Sequence, residues 1–415
     1  MAVSIALVLL GGPATAGAVD WTEVDLGIHE FGHLAVPDDI VAIAGPTEVG
    51  FENPQEGSSN GPWSFDVAAD GSIWLLDQFN YRVLEWEPGR PDAASLTVPL
   101  PQEVIRIAAD MAIGPNGTIY LSFVPVTPPD DREMLMVIAL SATGNLLWTT
   151  PTDIQYFNSR LRMAPDGSVY WEGALDTDDS VVSGLWTPVT SPDGEPLSLD
   201  EQRAGSGRYQ PLSDDLRFEA EEAGEGAEHE WDFTLIDQND GVVGAWRVTS
   251  EDELGGTVDE PGTAGGDPIV TLGIARQSAD DYLYEYVAIR LPVGGGSPEE
   301  ISLDPNAAWS DVPVTGLRVG PDGALYQLRS DIETGVTIAK YTLGSLTEPT
   351  PEPSPSTTAP PEPTGAPTTA PPVAAPMAPA SSRSMVPWIL GALMALVVVG
   401  GGGGLLLWRR AARSR

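Results

Sequence analysis

Four short stretches of this chain carry the same turn in the same setting, and that repetition limits the folds open to it. The first is Phe65-Asp66-Val67-Ala68, then Asp70-Gly71, then Ile73-Trp74-Leu75-Leu76. The second runs from Asp110 to Leu121 around Asn116-Gly117, the third from Leu161 to Trp171 around Asp166-Gly167, and a late one from Leu317 to Tyr326 around Asp322-Gly323. Each has a short apolar run, an Asp-Gly or Asn-Gly pair, then a β-branched or Leu residue followed by an aromatic. Such pairs mark hairpins because the turn needs positive φ, which Gly accepts freely and Asp or Asn tolerates. The aromatic residues Trp74, Tyr120, Tyr170 and Tyr326 therefore fall at equivalent strand positions and are predicted to share one face of their sheets. Ile73 to Leu76 is apolar on both faces, as in a strand buried between two other sheets.

The first three turns are 46 and 50 residues apart, and 156 residues, about three such periods, separate Gly167 from Gly323. Two degenerate copies are expected in that gap, at Trp231 to Val248 with a turn at Asp240-Gly241, and at Ile269 to Leu291 with a turn near Asp280-Asp281. Six repeats of a four-stranded sheet cannot each bury two faces alone, whereas a closed ring covers them all. The predicted fold is all-β, a six-bladed β-propeller over residues 47–346. The segment before Trp63 or the strand near Lys340 is expected to complete the first or last sheet.

The stretch DVAADGSIWLLDQFNYRVLEW resembles an NHL repeat, close to V-A-x-D-x-x-G-x-I-Y-V-x-D-x-x-N-x-R-V. The resemblance covers the first blade well, the second, third and sixth partly, and the fourth and fifth not in detail. It implies that Asp77, Asn80 and Arg82 fix the outer turn of the blade. NHL-like propellers include binding scaffolds, lactonases and lyases, so the resemblance leaves the activity open.

Ahead of the repeat, residues 1–18 read as a secretory signal peptide. A short apolar run ends at Gly12-Pro13, and Ala16-Gly17-Ala18 fits a small-x-small cleavage site, although no Lys or Arg precedes the run. The N-terminal segment 19–46 holds the sole match to a catalytic motif, His29-Glu30-Phe31-Gly32-His33. On a helix, H-E-x-x-H would let two histidines share a zinc with the Glu polarising its water. Gly27, Gly32 and Pro37 oppose a helix, and a strand or surface segment is the expected reading.

Behind the third turn, Asp193 to Glu230 departs from the repeat. Its run of Glu219, Glu221, Glu222, Glu225, Glu228 and Glu230 reads as a solvated acidic loop. Residues 347–385 are rich in Pro, Thr, Ala and Ser, which predicts an extended, disordered stalk reaching on the order of 100 Å. Residues 386–408 are apolar and uncharged, long enough for one transmembrane helix, with Trp388 and Trp408 at its two interfaces. The tail 409–415 carries Arg409, Arg410, Arg413 and Arg415, which places it in the cytoplasm by the positive-inside rule.

Charge and composition then narrow the function. Sixty Asp and Glu against 20 Lys and Arg give a net charge of −40, which opposes nucleic acid as a partner. Cysteine is absent and there are three histidines, so thiolate metal sites are excluded and a His-based centre is disfavoured. One lysine among abundant Ala, Gly, Pro and Arg has the look of a high-GC, Gram-positive-type bacterial genome. The expected function is a membrane-anchored, extracellular binding module for a protein or cell-wall glycan, with no catalytic, cofactor or metal residue assigned. Alternatives are a lactonase-like hydrolase or lyase with a carboxylate-bound calcium, and, further off, a zinc peptidase through His29, Glu30 and His33.

Overall fold

All four repeated turns close hairpins of one geometry in a computed structural model of the chain. It describes residues 19–343 except 52–60, 128–134, 153–159, 178–179, 208–209, 214–215, 223–228, 278–281 and 304–315. At the first turn, Ala68 N–H donates to Ser72 O and Gly71 N–H to Ala68 O. The same pair of bonds recurs about Gly117, Gly167 and Gly323. These are three-residue loops in which Gly alone takes positive φ, at +83°, +72°, +91° and +74°. The Gly of each pair is thus the residue that takes positive φ, as the turn requires. Asp70, Asp166 and Asp322 act through their carboxylates, each accepting the N–H two residues on.

The strands build six sheets. The chain opens with β1 (Thr22–Asp25) and β2 (Asp39–Ala44), which join later blades. Blade 1 is β3 (Ser64–Val67), β4 (Ile73–Asp77), β5 (Arg82–Trp86) and β6 (Leu96–Pro99). Blade 2 is β7 (Ile105–Ile113), β8 (Ile119–Pro125), β9 (Met136–Leu140) and β10 (Leu146–Pro151). Blade 3 has three strands, β11 (Arg160–Met163), β12 (Val169–Thr177) and β13 (Ser180–Pro188), followed by the helix α1 (Leu199–Gly205). The place of a fourth strand is taken by Gly207, which exchanges both backbone bonds with Trp186.

Blade 4 is β14 (Gln210–Ser213), β15 (Leu216–Glu222), β16 (Glu230–Asp237) and β17 (Val242–Thr249), with β1 added parallel to β17. Blade 5 is β18 (Glu253–Ala264), β19 (Asp267–Gln277), β20 (Tyr282–Arg290) and β21 (Glu299–Leu303). Blade 6 is β22 (Leu317–Val319), β23 (Leu325–Asp331) and β24 (Gly335–Tyr341), completed by β2 from the N-terminus. The ring is thus closed by the first part of the chain pairing with the last, on the strand that holds Lys340.

Both degenerate repeats are present, though displaced within their blades. Trp231 to Val248 forms the outer pair of blade 4, and Ile269 to Leu291 the middle pair of blade 5. At the Asp240-Gly241 turn the residue in positive φ is Asp240, at +62°, one place before the glycine. The acidic loop is a correction of substance. Glu219 and Glu221 alternate with Phe218 and Ala220 along β15, so the apolar set packs inward while the carboxylates face out. Glu225 and Glu228 lie outside the described residues.

The cores lie between neighbouring blades, which is why the middle strands are apolar on both faces. Trp74 packs with Ile113, Leu121 and Ile138 of blade 2, Tyr120 with Leu161 and Trp171 of blade 3, and Tyr326 with Phe65 and Leu84 of blade 1. The four aromatics pair in one register, Trp74 with Asp66, Tyr120 with Ala112, Tyr170 with Arg162 and Tyr326 with Arg318. They share a face, as the turn spacing requires.

At the β4–β5 turn, the fully buried Asp77 accepts from Gly50 N at 2.9 Å, Asn80 Nδ2 at 2.9 Å and Arg82 Nε at 2.8 Å. Asp77, Asn80 and Arg82 therefore do fix the turn, and they tie the segment before blade 1 to it. Replacing Asp77 with Ala is expected to cost about 2–4 kcal/mol, because three donors lose their acceptor. Asp77→Asn should cost less; a denaturation midpoint unchanged in Asp77→Ala would contradict this.

Residues 1–18 and 344–415 lie outside the described residues, and with them the predicted signal peptide, the linker 347–385 and the apolar run 386–408. Among the described residues no helix is long and apolar enough to cross a membrane.

Candidate functional site

The innermost strands of a propeller bring their side chains together on the axis, and here they bring charge. Arg318 of β22 reaches across to three neighbouring blades. Its Nε donates to Phe65 O at 3.1 Å, and its Nη2 to Met111 O at 3.0 Å and Leu161 O at 3.3 Å. Those carbonyls lie at equivalent positions of β3, β7 and β11, one residue before Asp66, Ala112 and Arg162 in the shared register. One guanidinium thus links blades 1, 2, 3 and 6.

Two carboxylates balance it. Asp110 is fully buried, lies 3.5 Å from Arg318 Nη2, and accepts from Ser64 Oγ and, at 2.6 Å, from Leu161 N. Asp66 lies 3.6 Å from Arg318 Nε and accepts from Ile113 N at 2.7 Å. A second cation, Arg162, sits 3.9 Å from Asp110. Burial is the main influence on both acids and raises both. Asp66 is pushed up to about 7, although bonds from Ile113 and Val67 and the charge of Arg162 pull the other way. Asp110 is raised in the same direction, against Arg162 and Ser64.

A raised carboxylate is a stability statement with a definite sign. The native state holds the Asp66 proton more tightly than the unfolded chain, so the contribution is complete below about pH 4 and is lost as pH rises through about 7. Asp66→Asn is therefore expected to gain stability relative to the parent between pH 5 and pH 8. Melting temperatures of the two proteins across that range would test it, and parallel curves would refute it.

The H-E-x-x-H segment is placed elsewhere and is not helical. The His29 ring bonds Glu285 of β20 at 2.8 Å, while its main chain accepts from Arg276 and donates to Asp252. Glu285 also accepts from Gly32 N at 2.5 Å, and Phe31 lies under the Arg276 guanidinium. His33 faces the exposed Glu30 at 4.0 Å. One imidazole is thus half-buried against blade 5 and the other is in solvent, and the two rings do not converge on one point as shared zinc ligands would. Gly27 and Gly32, at +59° and +87°, give the backbone its path. The segment is a strap that ties β1 on blade 4 to β2 on blade 6. Among the described residues no three His, Asp or Glu side chains are grouped to hold a metal ion.

The chain is a six-bladed β-propeller. No protein-family model matches it, and no curated protein matches it in sequence. Among solved structures it aligns with several proteins at low identity. A streptogramin B lyase aligns over 75% of this chain and 96% of its own, at 14% identity and a TM-score of 0.34. The PQQ-bound aldose sugar dehydrogenase from Streptomyces coelicolor aligns over 74% and 97%, at 13% identity and 0.40. Virginiamycin B lyase from Staphylococcus aureus aligns over 71% and 98%, at 9% identity and 0.34.

Proposed function

We propose that this chain is a cell-surface binding module, a propeller carried outside the membrane on the linker 347–385 and anchored by one helix at 386–408. Its ligand is a protein or a cell-wall glycan. The observation that carries the reading is the state of the axis. A calcium-dependent lyase or hydrolase would gather free carboxylates there, but Asp66 and Asp110 are spent on main-chain N–H groups and on Arg318. Such a network holds blades together and leaves the rims as recognition surface. The anchoring half rests on sequence: a 23-residue apolar run followed by four arginines.

Protease added to intact cells is expected to release a soluble fragment ending within 347–385, and surface cross-linking beforehand should attach one reproducible partner to it. Resistance of the protein where other surface proteins are cut would overturn the topology. Stoichiometric calcium bound to the purified protein would favour the lyase or hydrolase alternative.

A further inference from the structure

The strap 26–38 lies on blade 5 as a bound peptide would. Both oxygens of Glu285, whose side chain is only 8% exposed, take donors from it, His29 Nε2 at 2.8 Å and Gly32 N at 2.5 Å. Asp252 accepts His29 N at 2.8 Å, and Arg276, itself held on Asp252, donates to His29 O at 2.9 Å. Ala35 N then donates to Ser302 O of β21 at 2.8 Å. Four of these five bonds go to the strap's main chain, which fixes its path without asking for a sequence. Two side chains make the choice specific. The His29 imidazole meets Glu285, and the Phe31 ring lies 5.0 Å from the Arg276 guanidinium and edge-on to His29, against the core shared by blades 4 and 5. Gly32 follows at a φ of +87°, which turns its N–H to Glu285.

The other large apolar side chains of the strap do not hold it down. Ile28 is 62% exposed, Val36 86%, and Leu34 is exposed as well. A Cβ at Gly27 or Gly32 would meet nothing within 4 Å, so neither glycine serves close packing, and both widen the conformations open to the strap once it is free. A segment with few buried apolar contacts and a flexible released state opens at a lower free energy than the blades beneath it. Its two ends are fixed, because β1 pairs with β17 and β2 with β24. Opening between them uncovers a site as large as the strap's own footprint, with Glu285, the Asp252–Arg276 pair and the carbonyl of Ser302 unmet. The net charge of −40 draws a basic segment toward it.

We propose that Asp252, Arg276, Glu285 and Ser302 form a peptide-recognition site on blade 5, which the strap occupies in cis and which a segment of a partner protein takes in its place. The chemistry that fits is a basic side chain, an imidazole included, two residues before an aromatic that is followed by glycine. This deepens the binding-module reading and rests on it, by giving a protein ligand a defined place and the N-terminal segment an autoinhibitory role.

Fluorescence anisotropy with the full-length protein in detergent tests this, the probe being a labelled synthetic peptide with the sequence of residues 26–38. The parent should bind it weakly, because the strap in cis competes. A strap variant carrying His29→Ala and Phe31→Ala should bind it about tenfold more tightly, since its site is vacant for more of the time. A second peptide with the same two replacements should bind that variant about tenfold more weakly than the first, a comparison that leaves the protein unchanged. Glu285→Ala in the strap variant should remove binding; its melting curve shows whether the blade is intact, and the two-peptide comparison stands whatever that curve shows. No saturable binding by the strap variant, equal affinity of parent and strap variant, or equal affinity for the two peptides would each overturn the proposal. Surface release by protease is independent of these outcomes, so the site can fail while the surface module stands.

Discussion

Gly335→Ala is expected to destabilise the protein by about 3–5 kcal/mol, well beyond the effect at any turn glycine. Gly335 begins β24 with φ at +96°, and a Cβ there would stand 2.1 Å from Ala44 O and 2.7 Å from Gly45 C. Both atoms are backbone, so no rotamer change relieves the clash. β2 would have to draw away from β24, and that pairing is the one that joins the two ends of the ring. Gly71→Ala is the control, because its Cβ would meet only Pro88 Cγ at 3.7 Å and the cost is that of positive φ, about 1 kcal/mol. Denaturation midpoints should separate the two, and limited proteolysis of Gly335→Ala should cut first within residues 19–46. Equal midpoints would show that ring closure does not depend on this contact.

The second large effect is expected at Arg318. Arg318→Met fills the space but removes the donor to Phe65 O, Met111 O and Leu161 O, and strips Asp66 and Asp110 of their nearest cation. Breaking one side of a buried charged network costs about 3–5 kcal/mol, most of it from the groups left behind. The loss should be smaller at pH 5 than at pH 8, because Asp66, pushed up to about 7, is largely neutral at pH 5 and no longer needs the cation. Asp66→Asn placed on the Arg318→Met background should recover part of the loss at pH 8. Additive effects of the two changes would mean that Asp66 and Arg318 do not interact.

These two positions differ in what a reader of the sequence can see. The hairpins at Gly71, Gly117, Gly167 and Gly323 were legible because turn chemistry acts within five residues, and the number of blades followed from their spacing. Alternation of apolar and polar side chains marks β15 equally well, yet the density of glutamates there concealed it. The shared face of Trp74, Tyr120, Tyr170 and Tyr326 also came from period two alone.

The axis carries no such signal. Arg318 meets Phe65, Met111 and Leu161 across separations of 253, 207 and 157 residues, and nothing near any of them in the chain hints at the others. Nor does His29 point to Glu285, 256 residues on, which turns half of a catalytic-looking motif into the fastening of a strap. Local sequence determined the strands, their turns and their count, because backbone conformation and side-chain alternation are short-range. Closure of the ring decided which charges meet on its axis, because only there do the inner strands of different blades come within reach of one guanidinium.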